Sequence, residues 1–277
     1  MNRWSSLQII NIAAYVVTLI VNFFSQSSTA LGLSIFPKTV AELGESRAIF
    51  FLPAGYVFAI WGIIYFGLGA YVIYQGRPSQ RSNPILDKIG YWFLLSSVGN
   101  VTWLVLFLFE QTALSTLAMF LILVSLIMIY LRLGVGRTLV SRAERWAVHI
   151  PFGIYLGWIT VATVANISAA LYEAGYITEF AGISADLWAG LMMLVAAGIT
   201  LLMLWRHGAV DFALVVVWAL VGIFVRPFDT PLYAQQLANL NAGLVNTVAV
   251  VLAVAIAAGI GFSLVRQLQA PGRTAAA

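Results

Sequence analysis

The chain is predicted to be an all-α protein that lies in a membrane as a polytopic bundle of about eight helices. Three observations predict this class. Hydrophobic residues make up 62% of the 277 and charged residues only 9%, against roughly 25% charged in a soluble domain. Charge-free runs of about twenty residues recur, each long enough at about 1.5 Å per residue to cross a hydrocarbon core of roughly 30 Å. The basic residues fall in short loops between those runs rather than along one helical face, which reads as a topology signal and not as a nucleic-acid surface.

The first run, Leu7 to Phe24, follows Arg3 and is interrupted by Asn11 and Asn22. Small residues from Ser27 to Ala30 imitate a signal-peptidase site, but the run exceeds a usual signal core and is read as a retained helix. Residues 25–52 are too many for a simple connection. Within them Pro37 and Gly44 bracket a short helix, Thr39 to Leu43, so this segment reads as a lid. The second span starts at Pro53 and reaches Tyr74 without a charge.

The third span, Ile89 to Phe109, and the fourth, Leu114 to Leu133, are joined only by Glu110 to Ala113 and must form an antiparallel hairpin. The fifth, Trp146 to Leu171, contains Pro151, and the sixth is Leu187 to Trp205. Phe212 to Val225 is short of the roughly seventeen residues a crossing needs, unless Asp211 and Arg226 snorkel at its ends. Leu240 to Val265 is the last span. The chain thus divides into a five-helix core at 1–172 with a lid at 25–52, a three-helix extension at 173–266, and a disordered tail at 267–277.

Eight crossings place both termini on one side. With the N-terminus inside, eleven bases lie inside and only Lys38, Arg47 and Arg226 outside. That bias predicts a bacterial cytoplasmic membrane with both termini cytoplasmic.

Composition also removes several chemistries. Without cysteine there is no disulfide, thiolate or Cys-ligated metal. No span carries a charge near its middle, which disfavours an ion-coupled pump. His149 and His207 have no ligand partners at metal spacing and read as surface groups. No Ser-His-Asp order, phosphate-binding glycine loop or carboxylate pair is present, so no enzyme activity and no required cofactor is expected.

Aromatic and amide residues remain. Trp61 and Tyr65 stand four residues apart on span two, with Gly69 a further turn on. Trp61 and Trp103 each lie about six residues from the outer end of their span, roughly 9 Å below the boundary. Asn166 lies at similar depth, with Ala162 and Trp158 below it on one face, and Asn100 and Tyr65 fall a turn deeper. These residues converge beneath the lid, in the form of a small-ligand cavity. Trp61, Trp103 and Trp158 either pack or touch a ligand, and Asn100 and Asn166 either bond across helices or hold a ligand. Trp4, Trp92, Trp146, Trp188 and Trp205 read as interfacial anchors.

Pro53, Val57, Phe58, Trp61, Tyr65 and Gly69 resemble the second-helix motif of the tryptophan-rich sensory proteins, also called the translocator protein family. Asn100, Trp103 and Phe107 resemble that family's third helix, and Trp158, Ala162 and Asn166 its fifth, over about Leu7 to Leu171. The pattern departs where one proline replaces two before Phe58 and where Trp61 lies one residue closer to Phe58. The resemblance implies a five-helix bundle, often a homodimer, with an outward-lidded pocket for porphyrins, haem or sterol-like lipids. Protoporphyrin IX or haem would stack on Trp61 and Trp103, its propionates reaching Lys38 or Arg47 in the lid, and would be sensed, transported or degraded. Two other readings stand beside it: a small-solute permease built from all eight helices, and an assembly protein that docks a partner on Ala253 to Gly261.

Overall fold

The computed structural model describes residues 5–27, 32–33 and 35–269. Arg3, Trp4, Arg273, the stretch 28–30 and the tail from residue 270 lie outside the described residues. The helices in chain order are α1 (Ser6–Ser27), α2 (Val40–Glu45), α3 (Ile60–Gly76), α4 (Ile85–Ile89), α5 (Trp92–Leu108), α6 (Thr112–Leu133), α7 (Arg142–Glu144), α8 (Ile150–Glu173), α9 (Ala185–His207), α10 (Val210–Phe224), α11 (Pro231–Leu237) and α12 (Ala242–Gln269). A two-stranded hairpin, β1 (Glu179–Phe180) and β2 (Ile183–Ser184), precedes α9.

Among the described residues six helical runs are long and apolar enough to cross a membrane, and α5 and α10 are shorter apolar helices of 17 and 15 residues. Together they account for the eight spans. Phe66 is 83% exposed, Ile73 70% and Phe262 69%, surfaces that water would penalise and lipid does not.

Local departures from the expected spans have physical causes. A 3-10 turn, Gly55–Ala59, leads into α3, so the second span bends at its entrance instead of running straight from Pro53. A π turn, Arg145–His149, precedes α8, because Pro151 has no N–H for the carbonyl four residues back. His149 is buried in that turn rather than on the surface, and a His207 ring nitrogen lies 3.1 Å from the Val135 carbonyl. The short lid helix runs Val40–Glu45 with Thr39 as its N-cap, and Thr39 and Glu42 complete a capping box. Those Thr39 hydrogen bonds hold the Glu42 carboxyl below its usual range. Residues 267–269, expected in the tail, extend α12.

The spans make two packed groups. α1 packs on α3 and α5, α5 on α6, α6 on α8, and α8 on α3, closing a ring of five helices. α10 packs on α8, and α9 and α12 pack on α10. The two groups meet closely at Gly157 of α8, where a Cβ would come 2.9 Å from the Phe212 carbonyl oxygen.

The ring is filled at the end away from the lid. Tyr71 meets Phe93 and Phe152 edge-on, each at 5.1 Å between centroids. Asn11 Nδ2 donates to the Tyr71 hydroxyl at 2.9 Å, and Gln8 Nε2 to the Gln75 carbonyl at 2.6 Å. Buried amides in a membrane bundle need such partners.

Candidate ligand-binding site

The lid crosses the other end of the ring, and the extension holds it there. Arg226, just beyond α10, is buried and directs its guanidinium at four lid carbonyls: Leu52, Pro53, Gly44 and Arg47, at 3.2 to 3.5 Å. Tyr233 of α11 donates its hydroxyl to the Ile49 carbonyl at 2.8 Å. Burial pushes that phenol above its ordinary value, so the hydroxyl keeps its proton. Trp218 Nε1 donates to the Val57 carbonyl at 3.2 Å, and the Ala54 amide to the Gly222 carbonyl at 3.0 Å. Gly222 is required for that approach: a Cβ there would collide with Val57 and come 3.0 Å from the Pro53 Cβ.

Beneath the lid, rings from α3 and α5 form a stacked column. Tyr65, Trp61, Trp103 and Phe107 follow one another at 5.5, 5.7 and 5.6 Å between centroids, with planes 19° to 28° apart. The Arg47 guanidinium caps the column, 5.1 Å above the Phe107 ring. The i, i+4 spacing along each helix places successive rings one above another.

A narrow cavity opens between this column's lid end, the lid and α8, with the concave, mostly apolar lining of a ligand pocket. Its walls are Trp103, Phe107, Trp158, Ala162 and Asn166, with Pro53, Phe58 and Arg47 from the lid and its hinge. Eight residues expected at the site therefore meet there. A second cavity lies across residues 48–51 between the lid and the β hairpin, and Ile49 borders both.

Four expected residues are placed differently. Trp61 and Tyr65 do not line the cavity; each spends its faces on the column, and Trp61 also meets Trp158 edge-on at 6.2 Å. Asn100 accepts from Asn22 Nδ2 at 3.0 Å and donates to the Tyr155 hydroxyl at 3.5 Å, joining three helices instead of pairing with Asn166. Lys38 is exposed on the lid surface, 4.0 Å from Glu110, and away from the cavity. Trp61 and Trp103 stack on each other and leave no slot between the two.

Asn166 is the polar hub. Its Oδ1 accepts from Trp103 Nε1 at 2.9 Å, and its Nδ2 donates to Thr116 Oγ1 at 2.8 Å and to Ser115 Oγ at 3.1 Å. It thereby fixes the rotation of the Trp103 ring over the cavity.

Two functional residues were not legible as such in the sequence. Arg226, expected to snorkel, is the lid's anchor. Glu173 is the partner of Arg47: their side chains form a short ion pair, and Thr112 Oγ1 donates to Glu173 at 2.6 Å. The signal for that pair was the sign reversal after the fifth span, where Glu173, Glu179 and Asp186 stand without a base opposite a lid that carries two.

Among the described residues no group of three or more His, Asp or Glu side chains could hold a metal ion. No curated protein and no solved structure matches the chain. A family model described as TSPO-like protein matches residues 8–262. The matched region takes in the extension as well as the ring, beyond the part where the motifs were recognised. With nearly all of its length covered by that match, the chain belongs to the TSPO-like protein family.

Proposed function

We propose that this integral membrane protein binds a flat, apolar ligand of tetrapyrrole type in the cavity under the lid, to sense it or to move it. The observation that carries this reading is the cavity itself: apolar walls, two indoles and two phenyl rings, and only a few polar groups at its rim. The filled far end of the ring supports a bound ligand over a straight permeation path. We assign it no covalent step.

Orientation follows from the charges. Arg47 and Arg226 are buried in the protein, so Lys38 is the exposed base at the lid end among the described residues, while nine bases lie at the other end. This supports a cytoplasmic membrane with both termini inside.

The test is quenching of tryptophan fluorescence by protoporphyrin IX in detergent. Saturable binding is expected at micromolar ligand, with affinity about tenfold weaker in Trp103→Phe, which loses ring area and the bond to Asn166. Trp61→Phe, which changes only the column behind the wall, is expected to weaken it less. Non-saturating quenching, equal in all three proteins, would remove the proposal.

A further inference from the structure

The chemistry of the cavity rim says more about the ligand, on the premise that the cavity is a binding site. Two side chains of its lining each hold a buried donor that is unmet. Arg47 is 4% exposed and spends Nη2 on Glu173 and on Thr112 Oγ1, the latter at 3.3 Å, while its Nη1 has no hydrogen-bond partner. Trp158 is 2% exposed, and its Nε1 likewise has none. Both side chains line the cavity. A buried donor without an acceptor is destabilising, and a ligand with an acceptor at that point relieves it.

The charge at the rim decides which acceptor. Glu173 already balances Arg47, so the pair is neutral as it stands. A carboxylate added beside Arg47 would have to share that guanidinium with Glu173 and would face its negative charge, while Arg226, the other buried base at the lid end, already spends its guanidinium on four lid carbonyls. A carbonyl oxygen accepts from either N–H and adds no charge.

We propose that the Arg47–Glu173 pair makes this cavity select flat apolar ligands that present a neutral acceptor, such as an ester or ketone carbonyl, to Arg47 and Trp158, with Glu173 discriminating against carboxylates. Lys38 is too exposed and too far out on the lid to supply a second positive charge at the rim. The remaining cavity walls carry only the amide of Asn166, whose oxygen and nitrogen are already engaged.

The probes are protoporphyrin IX and its dimethyl ester, which share a ring system and differ in charge. In the wild-type protein the ester is expected to bind at least tenfold more tightly than the free acid. Glu173→Gln keeps the shape and the contact to Thr112 but removes the balancing charge, and is expected to reverse the acid-to-ester affinity ratio by about tenfold or more. A general loss of folding lowers both affinities and does not reverse a ratio. Free acid binding as tightly as the ester in the wild type, or a ratio unmoved by Glu173→Gln, would overturn the inference and leave the pocket standing. Saturable binding by neither porphyrin would remove the pocket reading and the inference together.

Discussion

Replacing Arg226 by alanine is expected to release the lid and to lower stability by about 3 kcal/mol, since hydrogen bonds to charged groups contribute roughly 1.5–3 kcal/mol each and these are long ones. The side chain is 6% exposed, so water cannot simply replace it at the carbonyls of Gly44, Arg47, Leu52 and Pro53. It also lies over the Tyr233 ring, 5.6 Å from the centroid, and that ring packs against Phe50 at 5.8 Å. Removing the guanidinium therefore loosens the second anchor as well as the first. The measurement is amide hydrogen exchange over residues 44–57 in detergent, together with the thermal midpoint. Faster exchange confined to that segment is the expected result. Arg226→Lys is expected to recover less than half of the loss, because a single ammonium cannot span two pairs of carbonyls as a planar fork does.

Asn166→Leu, which keeps the branching of the side chain but none of its hydrogen bonds, is expected to cost about 2 kcal/mol. It strands Trp103 Nε1 and leaves the Ser115 and Thr116 hydroxyls only their bonds to the Thr112 carbonyl, and interhelical hydrogen bonds of this kind contribute about 0.6 to 1.7 kcal/mol each in a bilayer protein. The same change frees the Trp103 ring to rotate, so porphyrin affinity falls with stability. Asn166→Asp keeps the acceptor for Trp103 but loses the donors and adds a charge, and is expected to be worse. A substituted protein as stable as the wild type would mean that the four-residue cluster carries no energy. Chemical denaturation in mixed micelles separates these outcomes.

Much of the architecture was legible because length and charge alone define a membrane span. The hairpin of α5 and α6 followed from the few residues between two apolar runs, and the lid helix from Pro37, Thr39 and Gly44. The elements that were missed, among them α4, α7, α11 and the β hairpin, are short and lie where nothing in a hydropathy pattern distinguishes an ordered loop. In the hairpin, Ala181 and Gly182 both adopt positive φ, 53° and 77°, a turn in which alanine gives no advance signal.

At the site, depth was legible and rotation was not. Residues at i, i+4 spacing share a face, which grouped Trp158, Ala162 and Asn166 correctly. Whether a ring faces a cavity or its neighbour depends on the helices around it, and Trp61 and Tyr65 face the column. Asn100 bonds to α1 because the ring closes there, a contact that no local pattern encodes. The partners of Arg47, read as a base of the lid, and of Arg226, expected to snorkel, are a carboxylate after the fifth span and backbone carbonyls in the lid, both distant in sequence.

The claim that most needs a direct test is that ligand occupies the cavity under the lid and not the neighbouring one. Ala165, which lines the first, and Ala185, which lines the second, can each be enlarged to phenylalanine and titrated with protoporphyrin IX dimethyl ester. Binding weakened tenfold or more in Ala165→Phe, and within twofold of wild type in Ala185→Phe, is the predicted result. The reverse order, or equal binding in both, would place the ligand elsewhere.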